Sequence, residues 1–144
     1  MRHLQGAYYQ HLRWIAIVMA EIEIAIHAKL TPAHLHEVPY IGALFLTSVV
    51  LMAAVALAFV FRRLEPMAWT VGALVCAGMC VGFLLSRSVG FPDYHESWTS
   101  DGNLGLISLP PELIFIATAA EVWHMSRQPR RIVRPYRTIS AARF

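Results

Sequence analysis

The segment WIAIVMAEIEIAIHA, Trp14–Ala28, decides how this chain is interpreted. It is apolar enough for a membrane span, yet it contains Glu21, Glu23 and His27. A charged side chain near the centre of a bilayer costs about 2.5–3.5 kcal/mol on insertion scales, and residues kept at that cost usually have a function. The segment therefore predicts a membrane helix whose ionisable side chains are sheltered by protein.

The rest of the chain has the composition of a membrane protein. Hydrophobic residues make up 57% of its 144 residues and charged residues only 15%, against about 25% charged in a typical soluble domain. A hydrocarbon core about 30 Å thick needs about 20 helical residues. The sequence predicts four such spans, near residues 12–30, 40–61, 67–86 and 104–124. We expect the first to be retained rather than cleaved as a signal peptide, because glutamates interrupt it.

The distribution of Lys and Arg predicts how the spans are oriented. Ten of the twelve fall on one side of a four-span arrangement, and only Lys29 and Arg87 fall on the other. The positive-inside rule then places both termini in the cytoplasm, and we expect a bacterial inner membrane. The connections are too short to fold alone. We therefore predict an all-α fold, with one antiparallel four-helix transmembrane bundle over residues 1–126.

Residues 127–144 are predicted to form a basic cytoplasmic tail. The tail contains six arginines and no acidic residue. Arginines next to a span each gain about 1 kcal/mol from anionic lipid. The pI of about 9.2 is therefore interpreted as lipid contact and not as nucleic-acid binding. A docking arm for a cytoplasmic partner is the alternative.

Four internal features bear on how the helices pack and where they end. Residues 29–39 are predicted to form a loop with one helical turn starting at Thr31 and Pro32. Small residues recur at Gly78, Gly82 and Ser86 in the third span, which predicts close approach of another helix. Pro110 and Pro111 predict a bend or a shortening of the fourth span. Cys76 and Cys80 are interpreted as buried thiols.

A metal site is the sharpest chemical hypothesis. Glu23 and His27 are four residues apart, so they share one face of a helix. Glu112 enters the fourth span at a similar depth, and two histidines follow the first span closely. Imidazole and carboxylate ligands suit Cu, Zn or Fe. The predicted ligands are Glu23, His27, His34, His36 and Glu112.

Two alternatives to a metal site remain open. Arg87 ends the third span and is placed to pair with Glu23 or Glu112, which would make the cluster a buried polar network. The other alternative is a proton or substrate pathway. The residues assigned to such a network or pathway are Glu21, Glu37 and Arg87.

Haem is the weakest of the cofactor hypotheses. His27 and His124 lie at opposite ends of the predicted bundle, so they cannot ligate one iron. His11 and His124 lie at the same end, where they are interpreted either as a haem pair or as two interfacial histidines.

The two glutamates of the first span cannot both face the interior of one bundle. Glu21 and Glu23 are separated by about 200° around a helix of 3.6 residues per turn. One of them must face a groove or another protein, or else be protonated. This geometry favours assembly with other membrane subunits or with further copies of the chain.

Three strings in the chain resemble a loose group of small bacterial four-span membrane proteins. They are HxHExPxxGxxF from His34 to Phe45, SRxxGxP from Ser86 to Pro92, and Gly105-Leu106 before Glu112. This resemblance implies a four-span fold and no particular function.

A narrower resemblance concerns the predicted ligands alone. Glu23-x3-His27 with a downstream histidine is similar to the Asp-x3-His…His copper site in the membrane subunit of particulate methane monooxygenases. Here Glu replaces Asp and the downstream spacing is shorter.

The sequence as a whole predicts a small integral membrane subunit that packs within a larger membrane assembly. Its cluster of histidines and carboxylates would bind a transition metal. The alternatives are a stand-alone metal-handling or proton-coupled transporter, or a copper or iron component of a membrane enzyme. We assign no catalytic residue, and we do not expect the chain to be an enzyme on its own.

Overall fold

The computed structural model describes residues 2–98 and 103–127, with side chains from residue 6 onward. These residues form four helices: α1 (Arg2–Glu37), α2 (Pro39–Ala58), α3 (Glu65–Ser88) and α4 (Leu104–Arg127). The predicted all-α bundle is confirmed. Most of the predicted basic tail lies outside the described residues.

The helices form an antiparallel bundle in which each packs against its neighbours in the chain and α4 closes onto α1. Leu35 meets Gly42 close to the connection between α1 and α2. At the far end of the same pair, Arg13 donates a hydrogen bond to the carbonyl of Phe59. Contacts in this order require that α1 and α2 run in opposite directions.

The first helix is longer than the sequence predicts. The expected loop at residues 29–39 is wrong, because α1 continues through Pro32 to Glu37 and only Val38 separates it from α2. Pro32 lacks the N–H that would bond to the carbonyl of Ala28, but this does not end the helix. Val38 is extended, and Pro39 takes the first turn of α2, where a missing N–H costs least.

Three of the described helices, α2, α3 and α4, are long and apolar enough to cross a membrane. α1, whose apolar stretch contains Glu21 and Glu23, is not among them. α4 continues through Pro110 and Pro111 without interruption, so the fourth span is not shortened. Large apolar side chains such as Leu57, Leu74 and Leu113 point outward and are 57–68% exposed. This surface fits a lipid environment.

The two halves of the bundle differ. We name its ends by their residues. The arginine end carries Arg62 and Arg63 between α2 and α3, and the histidine end carries Val38 and residues 89–98. The arginine half contains a close-packed aromatic core of Phe59, Trp69 and Phe115, with ring centroids 4.8–6.4 Å apart. The histidine half contains the buried polar residues described next.

Candidate metal centre

Three ionisable side chains meet inside the histidine half of the bundle. Glu23 and His27 come from α1 and Glu112 comes from α4, and their relative exposures are 1%, 5% and 0%. Each offers one ligand atom, and these atoms all lie within 4.8 Å of one another. A metal ion with ligand bonds of about 2.0–2.2 Å holds its ligands about 3–4.4 Å apart. Small side-chain rotations therefore suffice to close the group around one ion.

The group lies within the length of α4 that could cross a membrane. Glu112 is eight residues from the start of α4 at Leu104. At about 1.5 Å per residue, this places it about 12 Å below the end of the helix. Glu23 and His27 reach the same level from α1 because α1 and α4 pack against each other. The three side chains are therefore enclosed by protein well inside the length of the bundle.

The helix spacing of Glu23 and His27 fixes their contact. His27 Nδ1 lies 3.1 Å from Oε2 of Glu23 and 3.1 Å from the backbone carbonyl of the same residue. This carbonyl orients the ring, as backbone carbonyls commonly do for histidines that bind metals. Phe45 of α2 packs against the other side of the ring, with centroids 5.3 Å apart.

The carboxylates of the group have unsatisfied oxygens. Among the described residues, Oε1 of Glu23 and Oε1 of Glu112 have no hydrogen-bond partner. Burying a carboxylate without a partner is costly, and two of them in one pocket also repel each other when both are charged. A divalent cation between them removes both penalties, so the unsatisfied oxygens fit a metal site.

Cys80 of α3 is a member of the site that the sequence analysis missed. Its thiol donates a hydrogen bond of 2.8 Å to Oε2 of Glu112. The sequence placed Cys76 and Cys80 together as buried thiols, but only the packing of α3 against α4 brings Cys80 to the glutamate. Cys76 is fully buried in the core, and neither cysteine forms a disulfide.

The other predicted ligands lie elsewhere. His34 is buried two turns further along α1, where its Nε2 lies 2.9 Å from the hydroxyl of Tyr94 and 3.9 Å from Glu96. His36 and Glu37 are exposed at the end of α1. The structure thus brings together three of the five predicted ligands, and His34 belongs to a neighbouring polar cluster.

Arg87 pairs with a residue that the sequence analysis did not consider. Its Nη1 lies 2.8 Å from Oε2 of Glu96, and its guanidinium stacks 4.0 Å above the ring of Phe83. The segment after α3 makes this pair by folding back, with the N–H of Glu96 bonded to the carbonyl of Ser86. The pairing with Glu23 or Glu112 that was the alternative to a metal is therefore replaced by a pairing with Glu96.

Glu21 lies on the outer surface of α1. Glu23 is fully buried, whereas Glu21 is exposed together with Trp14 and Val18 on the same side of the helix. The two glutamates point in opposite directions, as their spacing predicts.

No protein-family model matches the chain, and neither the curated proteins nor the solved structures contain a match.

Proposed function

We propose that this chain is a small integral membrane protein that holds a divalent transition metal at Glu23, His27 and Glu112, and that α1 crosses the membrane together with α2, α3 and α4. One observation carries the proposal: two fully buried carboxylates and an imidazole converge within 4.8 Å, and within the described part of the chain an oxygen of each glutamate lacks a hydrogen-bond partner. Two carboxylates and one imidazole suit Zn or Fe, whereas Cu would favour more nitrogen or sulfur ligands.

Elemental analysis of the purified protein tests the metal site. The chain is extracted in detergent, stripped with a chelator, reloaded with Zn²⁺ or Fe²⁺ and freed of excess ion. We expect close to one ion per chain in the unmodified protein and none in His27→Ala. Glu21→Gln is the matched control, because it removes a carboxylate from the same helix outside the site. An unmodified protein that retains no ion would overturn the proposal.

We further propose that the protein works as a subunit of a larger membrane assembly. Glu21 supports this, since it is exposed on a helix face that also carries Trp14 and Val18. At bilayer depth an exposed carboxylate is costly against lipid. A partner membrane chain with a hydrogen-bond donor at this level would bind the carboxylate and shield it from lipid.

The subunit role is tested by purifying the unmodified protein and Glu21→Leu in a mild detergent. If a partner chain covers Glu21, the unmodified protein copurifies with that chain and the leucine variant does not. If Glu21 faces lipid, both proteins are monomers and the leucine variant is the more stable one, which would exclude the subunit role.

A further inference from the structure

A cavity of about 330 Å³ adjoins the metal centre in the histidine half of the bundle. Its walls are mostly apolar and include Ile41 and Phe45 of α2, and Val75 and Met79 of α3. Small-molecule sites in proteins have this character, with volumes of about 300–1,000 Å³, apolar walls and a few polar groups. The cavity is therefore large enough for one small ligand or for part of a longer one.

The stripe of small residues on α3 forms one wall of this cavity. A Cβ added at Gly78 or at Gly82 would meet no atom within 4 Å. The sequence predicted that this stripe lets another helix approach closely. Within the described chain Gly78 and Gly82 instead lie beside open space.

Several polar residues line the cavity, and two of them belong to the metal centre. His27 and Glu112 both line the cavity, whereas Glu23 does not. Glu112 is fully buried, and its Oε1 has no hydrogen-bond partner among the described residues. The metal centre is thus closed by protein on the side of Glu23 and open toward the cavity.

The cavity reaches the protein surface at bilayer depth. Leu44 and Leu51 of α2 line it and are 57% and 39% exposed. They lie five and twelve residues beyond Pro39, which at about 1.5 Å per residue is about 8–18 Å along α2. A ligand that enters beside these leucines comes from the lipid phase.

The charges around the cavity select the head of the ligand. Arg87 lines the cavity, but Glu96 neutralises it at 2.8 Å. The two carboxylates of the metal centre cancel the charge of a divalent ion. No net positive charge remains among these groups to attract an anionic head, and an apolar wall disfavours any charged one.

We propose that the cavity binds a neutral amphiphile of the bilayer, whose oxygen-bearing head lies at Glu112 and His27 and whose chain lies along Gly78 and Gly82. This inference rests on the proposed metal site, since the oxygen of the head would bind the metal ion from the side that faces the cavity. The ligand class is a long-chain alcohol or a similarly uncharged oxygen compound.

Photocrosslinking in lipid nanodiscs tests the proposal. The probe is a long-chain alcohol that carries a diazirine on its chain, and mass spectrometry locates the labelled residues. A fatty acid with the same chain and diazirine serves as the anionic comparison. We expect the alcohol to label cavity residues such as Leu44 and Met79, and the fatty acid to label them less.

Gly82→Leu fills the cavity and should lower labelling by the alcohol by about tenfold. Gly78→Leu is the second filling variant, in case Gly82→Leu does not fold. Ala77→Leu is the matched control, because it enlarges an exposed residue of α3 outside the cavity lining. Metal content is measured in every sample, so that loss of labelling is separated from loss of the metal centre.

Either of two results would overturn the proposal: equal labelling in Gly82→Leu and Ala77→Leu while both retain metal, or labelling by the fatty acid as strong as by the alcohol. A protein that is labelled at the cavity but holds no metal would remove the proposed function and leave an amphiphile site without it.

Discussion

Arg87 and Glu96 form a buried ion pair at the histidine end of the bundle, with Nη1 and Oε2 2.8 Å apart and side-chain exposures of 3% and 10%. The pair connects the end of α3 to the segment that follows it. Because it occupies Arg87, the carboxylates of Glu23 and Glu112 are left for another cation. Arg87 thus neutralises Glu96, and the proposed metal ion would neutralise Glu23 and Glu112.

Breaking this ion pair should destabilise the protein markedly. Glu96→Gln leaves the guanidinium of Arg87 buried without a counter-charge, and loss of one partner from a buried pair costs about 3–5 kcal/mol. Thermal unfolding in detergent, followed by the helical circular-dichroism signal, measures the loss. Asp93→Asn is the control, since it neutralises an exposed acid in the same segment. Equal unfolding temperatures for the two variants would contradict the prediction.

The two glutamates of α1 should differ in their effect on metal binding. Glu23→Gln removes a charged ligand from the fully buried group, so bound metal should fall to the level of His27→Ala. Glu21→Gln changes the same residue type two positions away on the exposed face and should retain metal. Elemental analysis of both variants checks this. Metal retained in Glu23→Gln would show that the ion lies elsewhere.

Cys80 should act on the metal through Glu112. The thiol donates to Oε2 of that glutamate at 2.8 Å and holds its carboxylate in place. Replacing a residue that orients a ligand typically weakens metal affinity by about 10–100-fold. We expect Cys80→Ala to show this loss in a competition titration against a chelator, with Cys76→Ala as the control in the same helix. Cys80→Ser, which can still donate to the carboxylate, should recover most of the affinity.

Two glycines should respond oppositely to a methyl group. A Cβ at Gly42 would overlap the backbone of Leu35, so Gly42→Ala must push α1 and α2 apart. Overpacking of this kind costs about 1–3 kcal/mol. A Cβ at Gly78 would meet no atom within 4 Å. Because Gly78→Ala also removes a glycine from a helix interior, it should stabilise the protein by about 0.5–1 kcal/mol. Thermal unfolding of the two variants measures both effects, and destabilisation by Gly78→Ala would show that the space beside α3 is filled.

The orientation in the membrane can be measured with single cysteines. In a background with Cys76→Ala and Cys80→Ala, Glu37→Cys lies at the histidine end and Arg63→Cys at the arginine end, and both positions are exposed. The excess of arginine predicts that the arginine end faces the cytoplasm. A membrane-impermeant maleimide added to intact cells should then label position 37 and not position 63. The reverse pattern would invert the predicted topology.

Much of the bundle could be predicted because its signals are local. The apolar runs of α2, α3 and α4 are continuous in the sequence, and their lengths alone indicate helices that can cross a membrane. The end of α1 could not be predicted in the same way. Thr31 and Pro32 are typical of a helix start, but in the structure the hydroxyl of Thr31 bonds to the carbonyl of His27 within a helix that continues.

The proposed metal centre likewise combines contacts that local spacing predicts with contacts that only packing decides. The four-residue spacing of Glu23 and His27 places them on one face, and their contact follows from the geometry of a single helix. Closeness in sequence also predicts His34 as a ligand. Its position two turns away instead brings it to Tyr94, in a segment whose path depends on the bonds that follow α3.

The sequence by itself determined that the chain forms apolar helices and that one of them carries Glu23 and His27 on one face and Glu21 on the other. These properties depend on spacing along a single helix. Only the tertiary structure decided that Glu112 and Cys80 meet this face, that Arg87 binds Glu96, and that Gly78 and Gly82 lie beside a cavity. Such relationships depend on how helices rotate and tilt against one another, and this is set by the packing of all four helices together.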